Sequence, residues 1–288
     1  MDLGETGPIS FSLILDRMFA VYRRYFFLLI GVAGLPYLIL AAIALLFVMA
    51  IGMLGTPAAP APAAASPPGA SAVMMVIGVA IVVGGIFLVG ASMAWVATSA
   101  AVWDLQMGKR PTIRSAYGLA LRRLGTIVVA GFLGILAVAA GYILLIIPGI
   151  IVLQSISLSS AIIAAEDTGP VETLKRSWRL TEGYRWKIFV TGFLCGIISM
   201  AFGYMFQIPA LLLMAFVSTP GGAPTWAIAT YILAYLVGWV LPAPLLAIAL
   251  SLIYYDARVR KEGFDLQRML DALPPAAGTQ APETPAVS

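Results

Sequence analysis

The sequence has no histidine, a single cysteine and little charge of either sign. Without histidine it lacks the side chain whose unperturbed pKa lies nearest neutrality, which is also the commonest metal ligand. The lone Cys195 sits inside a hydrophobic run, so no intrachain disulfide forms and its thiol reads as inert packing. A structural zinc site and a cysteine–histidine nucleophile are both excluded for this chain alone. Charged residues make up 10% of the chain, against about 25% in a soluble domain. From Ile188 to Tyr255 there is none.

What is present is hydrocarbon. Hydrophobic residues make up 61% of the chain and the mean hydropathy is +0.99. Several uncharged stretches exceed the roughly 20 residues a helix needs to cross a bilayer core. A soluble core of this composition would leave no polar surface to face water. The expected fold class is therefore all-α, a polytopic membrane bundle. Its six transmembrane helices are expected at about 26–53, 73–101, 126–147, 149–165, 188–217 and 226–255, with a turn at Pro148–Gly149. Pro209, Pro242 and Pro244 should kink their helices. Gly84–Gly85 and Gly192-x-x-x-Gly196 fit close helix packing.

The 17 Lys and Arg fall in four places: up to Arg24, within 109–123, within 175–187, and after Asp256. Six spans put all four on one side, and the positive-inside rule makes that side cytoplasmic, with both termini. The expected location is a bacterial inner membrane. The net charge of +4 and pI of about 9.3 then read as basic loops beside a membrane, and no nucleic acid is expected. The 56–70 loop, TPAAPAPAAASPPGA, and the 272–288 tail should be disordered. The loop's small residues resemble a signal-peptidase site, but the run before it is too long for a signal peptide, so an uncleaved span is expected.

Three cytoplasmic segments share a pattern. Phe11, Ile14, Leu15, Met18, Phe19 and Tyr22 fall on one helical face, as do Ile113, Ala116, Tyr117, Ala120, Leu121 and Leu124. The third keeps the pattern in part, with Val171, Leu174 and Trp178. Ser10, Pro111 and Gly169–Pro170 are their helix-start signals. Each segment ends in a basic or aromatic-basic cluster, and a hydrophobic hairpin follows. Residues 1–271 are thus expected to form one membrane domain. Its repeat units, 9–101, 111–165 and 169–255, each comprise an interfacial amphipathic helix and two spans.

No span has an ionisable residue near its centre, which argues against an ion-coupled transporter, a pump or a voltage sensor. Gln154 in the fourth span and Gln207 in the fifth, with several serines, line a polar path or make interhelical hydrogen bonds. Near the end of the chain YYDARVRKEGFD, residues 254–265, is half charged. Tyr254 and Tyr255 are expected as interfacial aromatics. Asp256 faces Arg260 and Arg258 faces Glu262 at helical spacing, and Gly263 ends that helix before a short one from Asp265 to Leu270. Asp256 or Glu262 is also expected to pair with an arginine of the middle segment, near Glu166.

Three pieces carry a family resemblance: IIPGI at 146–150, ETLKRSWRLTEG at 172–183 and IYYDARVRKEGFD at 253–265. Together they resemble a bacterial group of uncharacterised six-helix membrane proteins. That group is related to the membrane domain fused to some glycerophosphoryl diester phosphodiesterases, and to the YciC-like proteins. The resemblance implies a membrane module. The fused enzymes carry their catalysis in a separate soluble barrel that uses histidine, so that activity is not implied here.

The functional expectation is a non-enzymatic scaffold, accessory or membrane-organising module with no cofactor and no metal. Its partners would be anionic lipid headgroups, held by Trp178, Arg179, Arg185, Trp186 and Lys187, and a protein partner or a second copy. One alternative is transport or export of a lipid-like substrate. The other is an enzyme drawing on Asp104, Glu166, Asp167, Asp256, Glu262 or Asp265, for which no recognised catalytic spacing is present.

Overall fold

A computed structural model describes residues 11–53, 70–219 and 222–263. Every regular element among them is a helix: α1 (Phe11–Arg24), α2 (Phe26–Met53), α3 (Ala70–Gln106), α4 (Ile113–Arg122), α5 (Leu124–Leu144), α6 (Ile146–Ile156), α7 (Ser159–Ala165), α8 (Pro170–Thr181), α9 (Arg185–Val217), α10 (Thr225–Val240) and α11 (Ala243–Glu262). Six stretches are long and apolar enough to cross a membrane: Phe26–Ile43, Gly84–Gln106, Leu124–Leu144, Ile146–Ala165, Arg185–Val217 and Thr225–Glu262. The chain is a multi-pass membrane protein. The 56–69 part of the Pro/Ala-rich loop, Ser10, the 265–270 segment and the tail lie outside the described residues.

Two spans are broken, the fourth at a place where no interruption was expected and the sixth where Pro242 was expected to kink it. The fourth divides into α6 and α7. At the break, the hydroxyls of Ser155, Ser157 and Ser159 donate to the carbonyls of Ile151, Gln154 and Ile156 at 2.6–2.7 Å. Serine hydroxyls that take up backbone carbonyls compete with the helical ladder. Here the Ser157 amide donates to the Gln154 carbonyl, only three residues back, at 3.3 Å. The sixth divides into α10 and α11 at Leu241–Pro242. Proline has no amide to donate and obstructs the preceding turn. Pro209, by contrast, lies within unbroken α9.

The turn expected at Pro148–Gly149 lies earlier. Leu145 alone, in extended conformation, joins α5 to α6, and Pro148–Gly149 falls in the first turn of α6. Proline costs little there, because first-turn amides have no helical partner. Gly149 lets the two helices touch: a Cβ on Gly141 would meet its Cα at 2.9 Å. A second close approach joins α9 to α10, where a Cβ on Gly238 would meet the Gly203 backbone at 3.0 Å. The glycines expected to pack closely, Gly84, Gly85, Gly192 and Gly196, have nothing within 4 Å of such an atom.

α11 is the centre of the bundle. Leu245, Ile248, Ala249, Leu250, Ile253 and Tyr254 are all buried. They join α1 through Ile14 and Met18, α2 through Leu29, α7 through Ala161, Ile162 and the preceding Leu158, α8 through Leu180, and α9 through Ile188 and Cys195. A second cluster packs α4 (Ala116, Ala120) against α2, α3 and α5.

The short helices α1, α4 and α8 each lead into a long one. α4 starts at Ile113, behind a Thr112 cap with a reciprocal Ser115 bond, two residues later than Pro111 implied. α8 has Gly169 as its cap and Pro170 in its first turn. Its buried face differs from the expected stripe. Thr173, Ser177, Leu180 and Thr181 are buried, while Val171 and Trp178 are about half exposed. Ser177 donates to the Ser155 carbonyl at 2.8 Å. α8 thus seats its small hydroxyls on the broken fourth span and turns its apolar stripe outward.

Candidate functional site

The described charges gather where the end of α11 meets α8 and the α7–α8 link. Glu166 follows α7 and pairs with Arg176 of α8. Arg176 also reaches Glu262 at 2.9 Å. Arg258, one turn before Glu262 on α11, closes the square at 3.2 Å from Glu262 and 3.7 Å from Glu166. The square is neutral, and its four side chains are 14–30% exposed. Tyr254 donates to Glu166 at 2.5 Å, and Arg258 lies against the rings of Trp103 and Tyr254. Burial opposes the Arg176 charge, but hydrogen bonds and attraction from Glu166 and Glu262 outweigh it and raise its pKa.

A second group adjoins the first. Asp256 is 5% exposed and accepts from Arg260 at 2.7 Å and from the Tyr184 hydroxyl at 3.1 Å. Burial first, and then the Asp256 carboxylate, push the Tyr184 phenol up to about 12. Lys261 donates to the carbonyls of Arg179 and Glu182 at 2.9 and 2.6 Å. It caps the C-terminal end of α8, where unpaired carbonyls favour a cation. Arg123, between α4 and α5, donates to the carbonyls of Ile163 and Glu166 and lies 3.7 Å from Asp167. Asp104 pairs with Lys109 at 3.7 Å.

Asp256 with Arg260, and Arg258 with Glu262, sit at the i, i+4 spacing visible in the sequence. Gly263 ends α11 in a left-handed conformation, φ 62°. The partner of Glu262 on α8 is Arg176. Tyr254 is the correction: it is fully buried, not interfacial. Its hydroxyl finds a carboxylate that sequence distance hides. Arg123 carried no signal beyond its place in a basic cluster, and Trp103 none at all. Among the described residues no three Cys, Asp or Glu side chains gather as metal ligands.

The expected headgroup residues form a rim beside the ion pairs. Trp178 and Trp186 are 43% and 73% exposed. Arg185 lies over the Trp178 ring at 5.0 Å and Lys187 over Tyr184 at 5.3 Å. Trp186 stacks on Phe189. Arg179 is exposed.

Gln154 and Gln207 do not meet. Gln154 lines a cavity of about 520 Å³ with Trp95, Phe189 and Phe193. Gln207 lies 14 residues beyond Phe193, about 21 Å along α9, and donates to the Tyr231 hydroxyl at 2.9 Å. The membrane hydroxyls that cross between helices include Ser99 to Ser160 at 3.3 Å.

A family model described as a domain of unknown function (DUF7847) matches residues 88–257. No curated protein and no solved structure matches the chain.

Proposed function

Since the chain belongs to the DUF7847 family, whose function is unknown, we propose from its geometry a non-enzymatic integral membrane protein that organises anionic lipid at one membrane face. The observation that carries this reading is the division of labour among the charges. Glu166, Asp256 and Glu262 are each engaged by arginine, which leaves them poorly placed to act as a general base. Beside them, Trp178 and Trp186 stay exposed with Arg179, Arg185 and Lys187 around them. Basic residues near a bilayer surface attract anionic headgroups, by about 1 kcal/mol each, and tryptophan prefers the headgroup level.

In this reading the face is the cytoplasmic one of a bacterial inner membrane, and α1, α4 and α8 are interfacial amphipathic helices of a threefold repeat. The likeness of 172–183 and 253–265 to the phosphodiesterase-associated membrane domain and the YciC-like proteins accords with a membrane module. A protein partner or a second copy would complete such a scaffold, and co-purification from native membranes identifies it. The deciding experiment places the purified chain in nanodiscs of phosphatidylcholine doped with phosphatidylglycerol. We expect phosphatidylglycerol to be enriched around the protein, and less so at high salt. Equal retention of both lipids overturns the proposal.

A further inference from the structure

Two clefts beside α8 remain unassigned. The first, about 590 Å³, lies between α3, α5 and the α6–α7 span, and its wall is almost wholly apolar, with Trp95, Ala130, Gly131 and Gly134. The second, about 890 Å³, lies between α8 and the α5–α6 hairpin. Ile156 and Leu174 line both, so the clefts adjoin. The outward apolar stripe of α8, Val171, Leu174 and Trp178, forms one side of the second cleft, with Lys175 and Arg179 at its edge. Glu172 lines it too. Lys175 and Arg179 are exposed and, among the described residues, make no ion pair.

We propose that the joined clefts hold one anionic glycerophospholipid. Its phosphate lies at Lys175 and Arg179, its glycerol against Trp178, and an acyl chain passes Ile156 and Leu174 into the apolar cleft. This rests on the lipid-organising reading and makes it specific. A general attraction to anionic headgroups needs only surface cations. A chain-lined groove ending at two unpaired cations recognises a whole lipid molecule. Both volumes fall in the roughly 300–1,000 Å³ range of small-molecule sites. The charge explains the orientation: among the described residues the cations lining the clefts, Lys175 and Arg179, are at the α8 edge, and the other end is hydrocarbon.

The test uses the full chain in phosphatidylcholine nanodiscs titrated with phosphatidylglycerol, and reads protein-bound lipid after detergent stripping by native mass spectrometry. Wild type should retain phosphatidylglycerol saturably. Gly131→Phe fills the apolar cleft. A Cβ at Gly131 meets nothing within 4 Å, so the ring enters space that the chain would occupy, and retention is lost. Lys175→Gln with Arg179→Gln leaves the cleft open and lowers retention on the order of tenfold. Arg23→Gln with Arg24→Gln, which line neither cleft, should keep it. Size-exclusion elution shows that each variant is folded, and either cleft variant alone suffices. If wild type prefers phosphatidylglycerol and folded Gly131→Phe and the α8 double variant keep that preference in full, this site is wrong and the broader reading stands. If wild type shows no preference, the broader reading fails as well.

Discussion

Glu166 is the less exposed carboxylate of the square, at 14% against 30% for Glu262. It meets Arg176, Arg258 and the Tyr254 hydroxyl, all partly or wholly buried. Removing one member of a buried charge group leaves the rest uncompensated, at a cost of roughly 3–5 kcal/mol. Glu166→Gln should therefore lower unfolding stability strongly in a detergent titration. Glu262 is 30% exposed, and Arg176 keeps Glu166 without it. Glu262→Gln should cost about 1 kcal/mol or less. Equal losses would mean that the square is not the anchor described here. Half of the square was legible, because helical periodicity brings Arg258 to Glu262. The Glu166–Arg176 contact depends on the turn between α7 and α8, whose direction no local spacing encodes.

Hydropathy locates helices well because the bilayer length sets a threshold that long apolar runs cross. It says little about which side of a helix another helix meets. The outward face of α8 shows this: Ser177 and Thr181 look polar in sequence, yet they are buried and their hydroxyls reach the Ser155 carbonyl. Glycines follow the same rule. Gly192 and Gly238 look alike in their runs, but only Gly238 lies against another backbone. Gly238→Val should separate α9 from α10 and lower the midpoint of thermal unfolding, since the Gly203 carbonyl, 3.1 Å from the added atom, belongs to a helix backbone that has little room to give. Gly192→Ala should be neutral or slightly stabilising, because alanine is the better helix former. A Gly192→Ala loss as large as that of Gly238→Val would refute the assigned crossing.

Across the molecule, three phenols pin the short helices or their links to the bundle. Tyr22 of α1 donates to the Leu241 carbonyl at 2.7 Å, Tyr117 of α4 to the Val32 carbonyl at 2.7 Å, and Tyr184 after α8 to Asp256 at 3.1 Å. Burial raises the pKa of Tyr22 and pushes Tyr117 up to about 12, the value that Tyr184 also reaches. The unfolded phenol ionises near 10, so the unfolded chain loses these protons first. The stabilisation is whole below pH 10 and declines as pH rises from about 10 to about 12. Tyr117→Phe should flatten that decline in an alkaline unfolding series, and an unchanged slope would remove Tyr117 from it. The all-helical class was legible from the apolar composition and the length of the uncharged runs, whereas the pins were not, because two of their acceptors are backbone carbonyls that every residue carries.

The position of α11 has a further consequence for biosynthesis. It is the last of the described helices in chain order, yet it is the one around which α1, α2, α7, α8 and α9 gather. A ribosome releases the wall of this structure before its axle. Until the axle arrives, Met18, Leu29, Ile162 and Ile188 have lipid or the insertion machinery for company, and the Glu166 carboxylate has only α8 to answer it. Assembly therefore ends with an insertion into a waiting ring, not with the addition of an outer helix. A stop codon or frameshift just ahead of Ala243 should yield a chain that reaches the membrane and is then cleared by its quality-control proteases.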